Sequence, residues 1–141
     1  FAVDTDTVEK PVSDYATKVR DARKRLKPAE IYASDGHVVR STPELAIDNW
    51  LYERNILHAY EKLIQTDGDE IYFSDWYLKE GSVYIEYWGM EGNKRYESTK
   101  EKKLELYKKM DHRLIELHKD EYKQLDDIMP RKLRKWGIET Y

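Results

Sequence analysis

The stretch Phe73–Gly89, FSDWYLKEGSVYIEYWG, decides how the rest of the chain is read. Two apolar segments flank a polar Lys79-Glu80-Gly81-Ser82, the pattern of two strands folded back on each other. Each segment carries one carboxylate near its middle, Asp75 and Glu86. Acids are poor strand formers, and like charges directly opposite one another destabilise a sheet. Closure at Glu80-Gly81 by a two-residue or a four-residue loop puts Asp75 across from Glu86, whereas a three-residue loop breaks that pairing. Opposed residues project from one face with Cβ atoms about 4.5–5.5 Å apart, so the carboxylates repel or one holds a proton. A divalent cation between them removes the conflict, and oxygen-only ligands suit magnesium or manganese. The competing reading places both acids on the solvated face of a hairpin. Phe73 and Tyr77 on the side of Asp75, and Tyr84 and Trp88 on that of Glu86, favour an aromatic-lined cleft instead.

Working outward, ILHAYEKLI, EIYFSDWYL and SVYIEYW are three strand candidates, and HRLIELH (112–118) is a fourth. Ahead of them, STPELAIDNWLYERN is a helix with Ser41 and Glu44 in capping-box spacing, Pro43 in the first turn and Asn55 as its stop. The segment IYASDGHVVRS holds a turn signal at Asp35-Gly36 between two short β-like pieces. Residues 96–110, YESTKEKKLELYKKM, form a basic helix; DEYKQLDDI is a short helix, and Met129-Pro130 introduces a separate last helix, RKLRKW, ended by Gly137. SDYATKVRDARKRL (13–26) is a basic helix closed by Pro28, and residues 1–12 are expected to be an arm. The order predicts an α/β (α+β) fold, with a mixed sheet of about four strands flanked by helices. Residues 1–36 are expected to be an N-terminal arm with a basic helix, and residues 37–141 the core domain.

A chain of 141 residues suits a single hydrophobic core, and 38% charged with 13% aromatic residues suits a well-solvated surface around an aromatic interior. No apolar run approaches a membrane span, and no basic-then-apolar leader opens the sequence. Absence of cysteine excludes disulfides, thiolate zinc sites and cysteine nucleophiles. A cytoplasmic location is expected. The net charge of −3 gives no overall nucleic-acid signature, but the basic residues are clustered. Lys100 and Lys102 lie in one cluster with Lys94, Arg95, Lys103, Lys108 and Lys109. Arg131 and Lys132, with Arg134 and Lys135, form another, and residues 18–27 a third. Contacts of this kind read phosphates rather than bases; the alternative for the first cluster is a solvated helix face balanced by Glu97, Glu101 and Glu105. Arg40 beside His37 is a further phosphate candidate. His37, His58, His112 and His118 show no paired metal-ligand spacing and are expected to be structural or exposed.

The series RSTPELAIDNWLYERNILHAYEK, SDWYL, VYIEYWG and YESTKEKKLELY resembles the PD-(D/E)xK nuclease superfamily, in particular its small bacterial and phage members, over about residues 37–138. The resemblance implies a restriction-endonuclease-like core of order αβββαβ and a Mg2+- or Mn2+-dependent endodeoxyribonuclease. Its partner would be DNA, and a homodimer is possible. Asp75 matches the acid of the PD element, with Ser74 where proline is usual. Glu86 matches the acid of the (D/E)xK element, and Glu44 the additional metal-binding acid of the first core helix. Trp88 occupies the place of the usual lysine. A migrated lysine from the next helix, Lys103 or else Lys100, would replace it; Lys100, Lys103 and Tyr107 share one helix face. Glu61 is expected at a sheet edge rather than in the site. Two further readings stand beside the nuclease: a nuclease-fold module that binds DNA or a protein without cleavage, and an interaction domain that uses exposed aromatics.

Overall fold

A computed structural model describes residues 5–90 and 92–141, with side-chain surroundings from residue 14 onward. Helix α1 spans Thr5–Lys24, so residues 5–12 of the expected arm are helical, and residues 1–4 lie outside the described residues. Lack of an apolar stripe suggested an arm, but a solvent-side helix needs none, and Asp6 and Glu9 suit a helix N-terminus. Two short strands follow, β1 (Ile31–Tyr32) and β2 (Val38–Val39), antiparallel about the Asp35-Gly36 turn, where Gly36 takes φ +94°. Helix α2 (Thr42–Glu53) starts at Ser41, whose hydroxyl accepts from the Glu44 amide at 3.3 Å.

The main sheet comprises β3 (Ala59–Leu63), β4 (Phe73–Leu78), β5 (Val83–Trp88) and β6 (Arg113–His118), in that spatial order. Strands β3, β4 and β5 form an antiparallel meander, and β6 runs parallel to β5. A parallel return needs a crossover, which helix α3 (Lys94–Lys109) supplies. The strands are shorter than the apolar runs that announced them, because residues such as Ile56 turn into the core before pairing begins.

Helix α4 spans Leu125–Arg134 without a break, preceded by a 3-10 turn at Glu121–Lys123. This corrects the two-helix expectation around Pro130, which lies inside α4. Proline at the sixth position removes one intrahelical bond, to the Asp126 carbonyl, and burial of the helix's apolar face carries the helix through it. Leu125, Met129 and Leu133 continue one buried stripe across it.

Helices cover both faces of the sheet. On one, Ile47, Trp50 and Leu51 of α2 and Leu125, Met129 and Leu133 of α4 pack on Trp76, Leu78, Ile85 and Leu117. On the other, Leu106 and Tyr107 of α3 pack on Tyr84 and Ile64. The strand alternation therefore assigns Asp75 and Glu86 to the α3 face. None of the described helices is long and apolar enough to cross a membrane. The architecture is α+β, a mixed four-stranded sheet flanked by helices.

Candidate functional site

The hairpin pairs Trp76 with Ile85, Tyr77 with Tyr84 and Leu78 with Val83, which is the four-residue closure. The Ser82 amide donates to the Lys79 carbonyl at 3.1 Å, and Gly81 and Ser82 both take positive φ. One step further in this register faces Asp75 toward Glu86. There the Asp75 carboxylate accepts from the Tyr87 amide at 2.7 Å. Glu86 is fully buried and Asp75 half-buried. Burial, and then the Glu86 carboxylate beside it, pushes the Asp75 carboxyl up to about 8, against the opposing pull of Lys103 and the Tyr87 amide. Without a metal, the pair resolves its conflict by holding a proton.

Glu86 is gripped from α3. Lys103 Nζ lies 2.9 Å from Oε1 and 2.8 Å from Oε2, and the Tyr107 hydroxyl donates to Oε2 at 2.5 Å. Burial works against the charge on Lys103, but Glu86 and then Asp75 outweigh it and hold the ammonium firmly protonated. Burial and Glu86 likewise push the Tyr107 phenol well above its ordinary value, so it stays a donor. Trp88 lies under this group. Its ring carries Lys103 Nζ at 5.5 Å and Lys100 Nζ at 5.2 Å from the centroid, and its Nε1 donates to Glu116 at 2.9 Å. Where the resembled motif has lysine, this chain has an aromatic platform under lysines from the next helix.

Glu44 approaches from the first turn of α2. Its Oε1 accepts from the Arg40 amide at 3.0 Å and the Tyr60 hydroxyl at 2.5 Å. Burial, followed by the charge of Asp75, raises its carboxyl. Glu44 thus serves the helix terminus and feels the charge of Asp75. Glu61 sits on the edge strand, opposite Asp75 between the pairs Tyr60–Trp76 and Lys62–Ser74, with φ +58°. It accepts from Arg40 at 2.6 and 2.9 Å and from Arg23 at 3.2 Å.

The nominated phosphate contacts divide by environment. Lys102 and Arg131 face solvent, and Arg131 Nε donates to the Asp127 carbonyl at 3.2 Å. Lys132 reaches the Glu116 carbonyl at 2.8 Å, and Lys100 packs on Trp88. Arg40 is committed to Glu61 and also donates to the Lys27 carbonyl.

A second cluster was not foreseen. Asp35, His37, Asp48 and His58 each bring one donor atom within 4.8 Å of all the others, a group that could hold a metal ion. The expectation for His37 and His58 drew on spacing along the chain, which does not show this grouping. The β1–β2 turn, α2 and the approach to β3 bring them together instead. One signal was present in the sequence: Asp48 falls on the apolar face of α2 between Ile47 and Leu51, where it is fully buried.

Fold and sites together define an α+β protein whose central hairpin presents two facing carboxylates, the buried one, Glu86, clamped by a helix lysine. No protein-family model matches the chain, and neither a curated protein nor a solved structure matches it.

Proposed function

We propose that this chain is a Mg2+- or Mn2+-dependent endodeoxyribonuclease of the PD-(D/E)xK kind, with Asp75, Glu86 and Glu44 as metal ligands and Lys103 as the catalytic lysine. The observation that carries this reading is the Lys103–Glu86 contact beside a protonated Asp75. The expected second acid, the first acid and a migrated lysine meet at one place. The donor set is all oxygen, which suits a hard cation. Glu86 retains acceptor capacity, since a carboxylate offers about four lone-pair directions and Lys103 and Tyr107 use three. A bound divalent ion supplies charge neutralisation at the scissile phosphate and lowers the pKa of water.

The chain's own side chains supply the rest. Asp75 gives up its proton on charging with metal, and the Tyr87 amide keeps its carboxylate oriented. The Lys103 ammonium, fixed by Glu86 and Trp88, donates to the attacking water or to the phosphate oxygen that gains negative charge. Water oxygen would bond to phosphorus as the bond to the leaving sugar oxygen breaks, the water losing a proton to solvent and the leaving oxygen taking one from solvent. DNA approaches through Lys102, Arg131 and their neighbours by phosphate contact.

The test is nicking of supercoiled DNA by the full chain. Wild type is expected to cleave with magnesium or manganese and not with EDTA, and Asp75→Asn and Lys103→Met to lose cleavage while keeping their circular dichroism. Cleavage by Asp75→Asn at the wild-type rate would refute the assignment. The non-cleaving module stays as the second reading because Glu86 is already satisfied by Lys103 and Tyr107 without any ion. Salt-sensitive DNA retention without cleavage at any metal concentration would favour it.

A further inference from the structure

We propose that Asp35, His37, Asp48 and His58 form a second, closed metal site that takes zinc and ties the β1–β2 hairpin and the start of β3 to helix α2. The donor separations fit. His37 Nδ1 lies 2.9 Å from Asp35 Oδ2 and 3.0 Å from Asp48 Oδ2, and His58 Nε2 lies 2.8 Å from Asp35 Oδ2 and 3.3 Å from Asp48 Oδ1. Tetrahedral ligands on bonds of about 2.0 Å stand about 3.3 Å apart.

The hydrogen bonding directs a lone pair of His58 and the carboxylate oxygens to one point, where a cation can replace the proton that otherwise joins them. His58 Nδ1 is 2.7 Å from the Ile56 carbonyl, which can only accept, so Nδ1 carries the proton. In the neutral ring, Nε2 is then a bare lone pair facing two carboxylates, themselves acceptors. His58 Nε2 and Asp35 Oδ2, 2.8 Å apart, pair as ions when the ring carries a second proton, but in the neutral ring neither donates to the other. Among the described residues they are the two buried side-chain polar atoms without a hydrogen-bond partner. The His58 side chain is only 4% exposed. A buried lone pair and a buried carboxylate oxygen directed at one point suit a shared cation.

Outer contacts hold the other atoms in place. The Trp76 indole donates to Asp48 Oδ2 at 3.0 Å, the His37 amide to Asp35 Oδ1 at 2.9 Å, and the Ile56 carbonyl fixes the His58 tautomer. Metal-ligating histidines and carboxylates need such partners. Two imidazoles with two carboxylates suit zinc better than magnesium, which prefers oxygen alone. Asp48 lies one helical turn after Glu44 on α2, so an ion here fixes the helix that presents Glu44. The assignment does not depend on nuclease activity.

The experiment uses the full chain, stripped with chelator and reloaded. Wild type is expected to retain one equivalent of zinc in the presence of excess magnesium and to melt at a higher temperature with zinc than without. Cobalt in its place should give the intense visible absorption of a tetrahedral site. His37→Ala, at the most exposed ligand, should lower zinc affinity by at least about 100-fold, the upper range for loss of even an outer partner. Asp75→Asn should leave the cobalt spectrum unchanged, which separates this site from the hairpin acids. The proposal is overturned if wild type retains no zinc, or if zinc leaves the melting temperature unmoved. It also falls if binding survives His37→Ala but disappears in Asp75→Asn. Should His37→Ala fail to fold, wild-type metal content and the cobalt spectrum decide the matter.

Discussion

Burial and Glu86 lift Asp75 from its ordinary value of 3.8 to about 8, so the metal-free native state keeps a proton that the unfolded chain releases. A raised folded-state value means that this stability is present below the unfolded value and is lost as pH rises through the folded one. The melting temperature of chelator-treated protein is therefore predicted to fall between about pH 4 and about pH 8, and Asp75→Asn to flatten that part of the profile. Magnesium must expel the same proton, so its affinity should climb over this range and level off above it. A magnesium titration at several pH values checks this, and a pH-independent constant would contradict it. Glu86 and Lys103 make a sharper case. Glu86→Gln leaves the Lys103 ammonium, 11% exposed, without its counter-charge, and breaking a buried pair in this way costs about 3–5 kcal/mol. Urea unfolding of Glu86→Gln, Lys103→Met and the double variant should show the double recovering part of the loss.

At the scale of elements, the hairpin and its turn set the site. Leu78, Val83 and the four residues between them fix a register in which the two acids face each other, and a shift of one residue would send Glu86 to the α2 face. Gly81 carries much of that constraint. Its φ is +77°, and an added Cβ would come within 3.0 Å of Ile138 Cδ1. Gly81→Ala is expected to destabilise by about 1–2 kcal/mol through the left-handed backbone alone, with more from the contact. Thermal melts of this variant beside wild type measure it; an unchanged melting temperature would show that the turn does not hold the register. Helix α3 joins the strands to chemistry, because Lys103 and Tyr107, four residues apart, both end on Glu86.

At the scale of the whole molecule, much of this arrangement was legible in the chain. Alternating strands, a turn at Glu80-Gly81 and the Ser41 cap announce the sheet and α2, because these signals are local and physical. Asp75, Glu86 and Lys103 were nominated from pattern and resemblance; Lys103 contacts Glu86, and Asp75 faces Glu86 across the hairpin. The parts that escaped were those that sequence spacing does not encode. Pro130 looked like a boundary because its cost was judged without the stripe that continues through Leu133. His37 and His58 looked unrelated because three different elements carry the four members of their cluster. Arg40, nominated as a phosphate contact, pairs with Glu61 across the β3 edge, a contact that spacing along the chain does not show. The exposed cations of α3 and α4 predict DNA retention that weakens steeply with salt, whereas salt-independent binding would point to a contact not dominated by phosphate.

The proposed function has Asp75 and Glu86 share one ion, and anomalous diffraction from crystals soaked in manganese tests that most directly. A peak within coordinating distance of both carboxylates, with Glu44 near it and Lys103 beside it, is the predicted result. Crystals that take up manganese elsewhere, or not at all, while Lys103 and Tyr107 keep their bonds to Glu86, would contradict the account.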